Sequence, residues 1–513
     1  MRCELLIIIP LVLSAVTHLW NPSGFPSVHT DEGHYMNRAM HLVDGIGPHE
    51  EKNIYTRNFD HPYFGQILLA AALQLVGYPD LVTAFQKDSI GQIEMIYLVP
   101  RVLMGVLAVI DTFLVFKIAE RRYNKTIAFI AAILFAVMPF SWILRRIILD
   151  NLLLPFLLSS ILFALSLEKQ DKKAVINRKN LTLILLSGIF LGLTIFTKIP
   201  AFAFIPLLSL ILLRRTKNIR SLVIWFIPVL LVPAMWPAYA LYAGDFEEWK
   251  EDVLWQATER VEKPLVISLQ DFIKIDPVLF SLGISGLIFA CFRRDYFIIL
   301  FAFPYLLFLY IVGFTNIVHM MALMPAICIS GAALIEFFSN KFRRKKIQLL
   351  LPVLVTLALC IFGLTSNLMI LQTNMTSSYF ETIALVLRAI PSDNDVNNHD
   401  SNRVTLVGHR WVPGFSWVLD RIYDKELDYQ KFFFRSEMDT DKFILIVERG
   451  FKSFLSNKNA SPEDLEYANM LFNNSSAFAK NSDIIQRYNY DIFPYNSMHD
   501  NRRIGEVEVR TNY

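Results

Sequence analysis

Charge is scarce in this chain of 513 residues: 19% are Asp, Glu, Lys or Arg, where a water-soluble domain carries roughly a quarter. That shortage excludes an ordinary soluble fold for most of its length. Cysteine is scarce too, with four residues. Cys3 precedes the first apolar segment, and Cys291, Cys328 and Cys360 lie inside or at the ends of others, which excludes a disulfide framework. The net charge is only +3 and the basic residues are dispersed between apolar segments, so no nucleic-acid footprint is present. No glycine-rich phosphate loop is evident for holding a soluble nucleotide sugar. Internal repeats and low-complexity segments are absent as well.

Apolar residues fill the space: 54% are hydrophobic, 41 of them Phe, and mean hydropathy is +0.41. Stretches suited to crossing about 30 Å of hydrocarbon, roughly 20 helical residues, lie near 93–116, 126–143, 147–167, 221–243, 276–292, 296–313, 316–338 and 347–371. Residues 5–20 join them as a retained first span, because Arg2 is a weak basic start and no small-residue cleavage site precedes His18-Leu19-Trp20. Every second connection is basic: Arg121-Arg122-Tyr123-Asn124-Lys125, the 168–179 loop, Arg214-Arg215 through Arg220, Arg293-Arg294, and 341–346. Lys and Arg in short loops stay cytoplasmic. Both flanks of 181–213 are basic, so that region enters and returns, as two thin spans or as a re-entrant hairpin broken at Lys198 and Pro200. Segment 64–78 is too short to cross and would invert every later loop. It reads as a helix lying on the outer leaflet.

The expected architecture is an α-helical polytopic membrane protein of about eleven spans, with the N-terminus cytoplasmic. Residues 1–372 form the membrane domain, with a first outer loop at 21–92. Residues 373–513 turn polar, and apolar runs at 403–407, 443–447 and 504–509 alternate with helix-like stretches such as 462–472. About 140 residues can bury a core of their own. The sequence therefore predicts an extracellular α/β domain at the C-terminus.

Ionisable groups pool on the outer side. His29-Thr30-Asp31-Glu32-Gly33-His34-Tyr35 stands where the chain leaves its first span, with Arg38 one turn on and Asp60-His61-Pro62 further along. A carboxylate at a water–lipid boundary can act as general base toward a hydroxyl. Equally, Asp31 or Thr30 can cap a helix start, where acidic residues answer unpaired N–H groups. Parity puts Arg101, Arg145, Arg146, Asp150, Lys198 and His319 at the same level. Any one could snorkel to the interface, and Asp150 could cap its helix while pairing with Arg146. Several cations on the face that the positive-inside bias disfavours suit a lipid-linked phosphate. Arg binds phosphate oxygens bidentately, and Lys adds a point charge to a departing phosphate.

In order, these motifs resemble the GT-C membrane glycosyltransferases that take sugars from polyprenyl phosphates, the protein O-mannosyltransferases and lipid A aminoarabinose transferases above all. The resemblance runs over roughly residues 5–340. It rests on Asp31-Glu32 with Tyr35, Asp60-His61-Pro62, Arg101-Val102-Leu103-Met104-Gly105, Leu149-Asp150-Asn151, Gly192-Leu193 with Lys198, and His319 through Pro325. It implies an inverting hexosyl transfer, mannose-like, to a hydroxyl of a protein, glycan or lipid. Asp31 would be the base and Glu32 its orienting partner; Arg101 and Lys198 would hold the phosphate. Tyr35, Arg38, Asp60, His61, Arg146, Asp150 and His319 would complete the donor site. His61 stands where relatives carry His or Lys before one or two prolines, but here Tyr63-Phe64 follows Pro62. Neither a cofactor nor a metal is expected. The competing classes are a transporter or flippase of lipid-linked sugars and a non-catalytic paralogue. The lack of an inverted repeat argues against the transporter, and intact Asp31, Glu32 and Arg101 argue against the paralogue. Sequons at Asn374, Asn459, Asn473 and Asn474 are acceptors only in a host that glycosylates Asn.

Overall fold

A computed structural model describes residues 5–48, 57–78, 90–169, 177–258, 263–372, 376–391, 404–408, 413–415, 417–419, 427–431, 442–457, 460–480 and 507–513. The sequons at Asn374 and Asn459, residues 410–412 and the start of the 504–509 run lie outside them.

The bundle is built from α1 (Ile8–Leu19), α2 (Thr30–Val43), α3 (Phe64–Leu75), α4 (Ile90–Arg122), α5 (Lys125–Val137), α6 (Leu149–Leu165), α7 (Arg178–Thr197), α8 (Ile205–Thr216) and α9 (Ile219–Ala243). It continues through α10 (Phe246–Thr258), α11 (Leu265–Ile275), α12 (Pro277–Phe292), α13 (Tyr296–Val312), α14 (Met324–Asn340) and α15 (Lys345–Leu371). Among the described residues six helices are long and apolar enough to cross a membrane, or up to eight if each of two bent pairs is one span. Three shorter apolar helices, α1, α3 and α6, fall below that length. At 12 residues and about 1.5 Å per residue, α3 reaches little more than half of a bilayer core. Region 181–213 resolves into two helical units, α7 and Ile199–Thr216, with Lys198 extended at the break between them.

Helix direction carries the basic turns to one end of the bundle. There Arg122 pairs with Asp295 at 2.8 Å, Tyr123 donates to the same carboxylate at 2.6 Å, and Asn124 donates to Glu336 at 2.9 Å. The opposite end gathers the starts of α2 and α6 and the turn at Lys198. Faces turned outward stay apolar, as on α9 and α15, where Leu230, Leu231, Leu349 and Leu354 are exposed. Such surfaces are suited to lipid rather than water.

After α16 (Ser377–Ala389) the chain forms a five-stranded sheet, β1 (Thr405–Gly408), β2 (Asp428–Lys431), β3 (Phe443–Val447), β4 (Ser476–Lys480) and β5 (Glu508–Thr511), in the order β2-β1-β3-β5-β4. Strands β2, β1 and β3 are parallel, and β5 runs antiparallel to both β3 and β4. Side chains alternate along a strand, so Ile444 and Ile446 join the core of the bundle. Phe443, Leu445 and Val447 meet Phe451, Tyr467 and Leu471 on the other face. These last three belong to α17 (Arg449–Leu455) and α18 (Pro462–Asn473). The central strand β3 is thus buried on both sides, while β4 at the edge is largely exposed. An aromatic seam docks it on α4: Tyr97 lies 5.3 Å from Phe380 and 5.7 Å from Trp417 by ring centres.

Candidate functional site

Helix α2 opens with a reciprocal cap. His29 is the N-cap, its Nδ1 accepting from the Asp31 N–H at 3.3 Å, and Glu32 accepts from the His29 N–H at 3.0 Å. The cap expected from Asp31 or Thr30 is therefore His29's, which frees the Asp31 carboxylate for other work. Successive helical residues point about 100° apart, so Asp31 and Glu32 face different surroundings.

Glu32 faces inward and is fully buried. Arg101 Nη2 donates to it at 3.2 Å, Arg146 Nη1 at 3.1 Å and the Ile147 N–H at 3.4 Å. Arg101 spends its remaining donors on the carbonyls of Pro22, Ser23 and Pro26. Arg145 donates to the carbonyls of Thr17, Trp20, Asn21 and Phe25. A buried charge persists only when paired and hydrogen-bonded, and here two arginines share one carboxylate. Arg101 and Arg146 thus form a knot that fixes the α1–α2 connection against α4 and α6. In this geometry the Arg101 donors that sequence reasoning assigned to phosphate are occupied by protein.

Asp31 faces the other way. Its side chain is 44% exposed yet ringed by protein, the setting of a group lining a cleft. Burial pushes its carboxyl upward, but His29, His34, Lys198 and His61 outweigh that and hold it below its usual range. His29 Nδ1 lies 3.6 Å from Asp31 Oδ2. The phenol of Tyr35 stays protonated far above its ordinary range, first through burial and then through Asp31, Asp60 and Asp150. The cleft at Asp31 therefore has Tyr35, Asp60, His61, Asp150 and Lys198 within electrostatic reach.

Each member is positioned from a different element. Lys198, at the break between α7 and the following turn, donates to Asp150 Oδ2 at 2.6 Å. Asp150 thus pairs with Lys198 rather than Arg146, and neither caps α6 nor pairs within its own turn. Its other oxygen, Oδ1, is buried with no partner among the described residues. Arg38, on α2, donates to Asp60 at 2.6 Å and to the Arg57 carbonyl at 2.9 Å. His61 lies with its ring 6.3 Å from that of Tyr35. His319 Nδ1 accepts from the Asn316 N–H at 3.2 Å, in a turn that packs on α6.

Sequence reasoning missed two features. Asp252 on α10 holds residues 57–59, and its sequence distance gave no signal. The turn at Pro413-Gly414-Phe415 sits on the first turn of α2. Any Cβ at Gly33 would run into the Gly414 carbonyl, and one at Gly414 would lie 3.1 Å from Thr30 Cα. The neighbouring Phe415 and Trp417 are buried among Tyr379 and Tyr97, so these aromatics are core. Among the described residues no group of three His, Cys, Asp or Glu side chains could hold a metal ion. Two Asp-x-Asp triplets, Asp393-Asn394-Asp395 and Asp439-Thr440-Asp441, lie outside them.

Solved structures share this fold. Archaeal oligosaccharyltransferase AglB from Archaeoglobus fulgidus, in complex with an inhibitory peptide and a dolichol-phosphate, is similar at 12% identity and a TM-score of 0.58, over 96% of this chain and 74% of that one. ArnT from Cupriavidus metallidurans bound to undecaprenyl phosphate is similar at 12% identity and 0.52, over 99% and 98%. No curated protein matches by sequence. A family model for dolichyl-phosphate-mannose-protein mannosyltransferase matches residues 8–236. The chain thus shares the fold of these membrane glycosyltransferases. The stretch matched by the family model holds both the Asp31 cleft and the Glu32 knot, while Asp252, His319 and the 413–415 turn lie beyond it.

Proposed function

We propose that this enzyme transfers a mannose-like hexose from a polyprenyl-phosphate donor to a hydroxyl of a protein, glycan or lipid, with inversion and with Asp31 as general base. The observation that carries this reading is the split between the neighbouring carboxylates, one tied up by arginines and one open to the cleft. The acceptor oxygen attacks the anomeric carbon as its proton passes to the Asp31 carboxylate. The bond from that carbon to the phosphate oxygen breaks, and its electron pair leaves with the phosphate. In this reading Lys198 and Arg38, which pair here with Asp150 and Asp60, join His61 in meeting that growing negative charge. Asp150 Oδ1, buried and unbonded, is suited to accept from a sugar hydroxyl. Arg101 and Arg146 act one step back, by fixing Glu32 and so the start of α2. The cations supply the stabilisation of the leaving group, so the reaction is written without a metal.

The basic turns at the far end of the bundle support a reading with the cleft on the outer face, the N-terminus cytoplasmic and the C-terminal sheet outside, on a path of about eleven crossings. Phosphate-bearing polyprenols in the two solved relatives agree with a lipid-linked donor, and the peptide in one agrees with a protein acceptor.

The test is release of polyprenyl phosphate from labelled polyprenyl-phosphate mannose by the purified protein in lipid, with membrane extract as acceptor. Asp31→Asn should cut turnover by about 10²–10⁴-fold, the usual contribution of a positioned base. Unchanged turnover in that variant would remove Asp31 from the role.

A further inference from the structure

Helix α10 carries exposed Glu247, Lys250, Glu251 and Leu254 on one side. On the other, Trp249 and Val253 pack with Phe59, Tyr63, Phe196 and Trp236. Asp252 belongs to the packed side, with its side chain 6% exposed. An acid in an apolar contact is costly unless both oxygens are satisfied. Here both are: Oδ1 accepts from Arg57 Nη1 at 3.0 Å and Oδ2 from the Phe59 N–H at 2.9 Å. Arg57 is further held with its guanidinium carbon 4.6 Å from the Trp255 ring centre, and Asn58 donates to Glu248 at 3.1 Å.

The held segment leads directly into the cleft. The Arg57 carbonyl accepts from Arg38, whose other nitrogen pairs with Asp60, one residue before His61. Thus α10 grips residues 57–59 on one side and α2 grips 57 and 60 on the other. The backbone leading into Asp60 and His61 is fixed between them.

We propose that Asp252 is a positioning residue of the donor site, setting the Asp60-His61 turn opposite Asp31. This rests on the reading of that cleft as the place where the donor phosphate binds. Asp252 touches no reacting atom, so its loss should weaken donor capture and leave Asp31's proton chemistry alone.

The experiment measures donor KM, kcat and the acid limb of kcat/KM for the full-length protein in lipid, in wild type, Asp252→Ala and Asp252→Asn. Asp252→Ala should raise donor KM about tenfold or more, with kcat within about threefold, the pattern of lost binding rather than lost chemistry. Its acid limb should stay at the wild-type position. Asp252→Asn, which keeps one acceptor oxygen, should fall between the two. A KM within twofold of wild type in Asp252→Ala overturns the proposal, as does an equal fall in kcat and kcat/KM. If Asp252→Ala does not fold, Asp252→Asn and Arg57→Gln carry the same readout.

Failure of the cleft reading is distinguishable. If the wild-type protein turns over no labelled donor, equilibrium binding of undecaprenyl phosphate replaces KM. A dissociation constant raised about tenfold in Asp252→Ala would support the positioning role without the reaction. An unchanged constant would end it.

Discussion

Asp31 and Glu32 are neighbours in the chain, yet one lines an open cleft and the other is sealed under two guanidinium groups. The knot around Glu32 sets two guanidinium groups on one carboxylate, with the spare donors turned onto carbonyls. Around Asp31 the charges are only partly sealed: its own carboxylate reaches solvent, that of Asp60 does so less, and Lys198 and Asp150 form a buried pair. Burial with full pairing gives a rigid support, and partial exposure among cations gives a carboxylate that stays ionised and can accept a proton. Only the second arrangement can do chemistry, and it depends on the first to hold its geometry.

The contrast can be broken most sharply by exchanging each acid for its amide. Asp31→Asn, which costs the most turnover, should leave the unfolding midpoint in detergent unchanged. Glu32→Gln should lower it, because two buried arginines lose their counter-ion at a cost of about 3–5 kcal/mol; activity should fall with the loss of folded protein. Equal midpoints for the two variants would erase the distinction between knot and cleft.

Lys198→Met should raise donor KM about tenfold or more by removing a phosphate-binding charge, with a smaller change in kcat. It leaves Asp150 buried alone, so the variant must first be shown to be folded. A donor KM unchanged in a folded Lys198→Met protein would restrict Lys198 to pairing with Asp150.

The smallest effect expected is on pH dependence. A base works when deprotonated, so kcat/KM falls as pH drops through its pKa. Burial raises the Asp31 pKa, while His29, His34, Lys198 and His61 lower it by more. Asp31 should therefore stay ionised from neutrality down past the ordinary titration range of an aspartate. Lys198→Met should move that limb upward. A wild-type acid limb near neutrality that Lys198→Met does not move would assign it to a group other than Asp31.

Much of this was legible beforehand. Apolar runs and basic turns gave the bundle and the grouping of its ends, because helix length and loop charge are local properties. Asp31, Tyr35, Asp60, His61, Asp150 and Lys198 were singled out from sequence, and the fold brings them to one cleft. Arg101 was legible as important but not in its use. Its partners include the carbonyls of Pro22, Ser23 and Pro26, and backbone acceptors leave no trace in side-chain identity. Asp252 was invisible for another reason. Its bond to the Phe59 N–H spans 193 positions, and an Asp in a helix with Glu247, Glu248 and Glu251 reads as one more solvated charge. His29 as the cap escaped because Thr30 and Asp31 are the commoner capping residues.

The contact between Gly33 and Gly414 bears on when the Asp31 helix can reach its final setting. Gly414 leaves the ribosome long after Gly33, so the helix that carries Asp31 meets its seat only once the chain between them has been made. A nascent chain holds its acid before it holds the surface that fits it, and a product cut short before Gly414 would carry the same residues without that seat. Synthesis through Gly414 thereby becomes a condition for the seat to form, built into the molecule by nothing larger than two missing side chains.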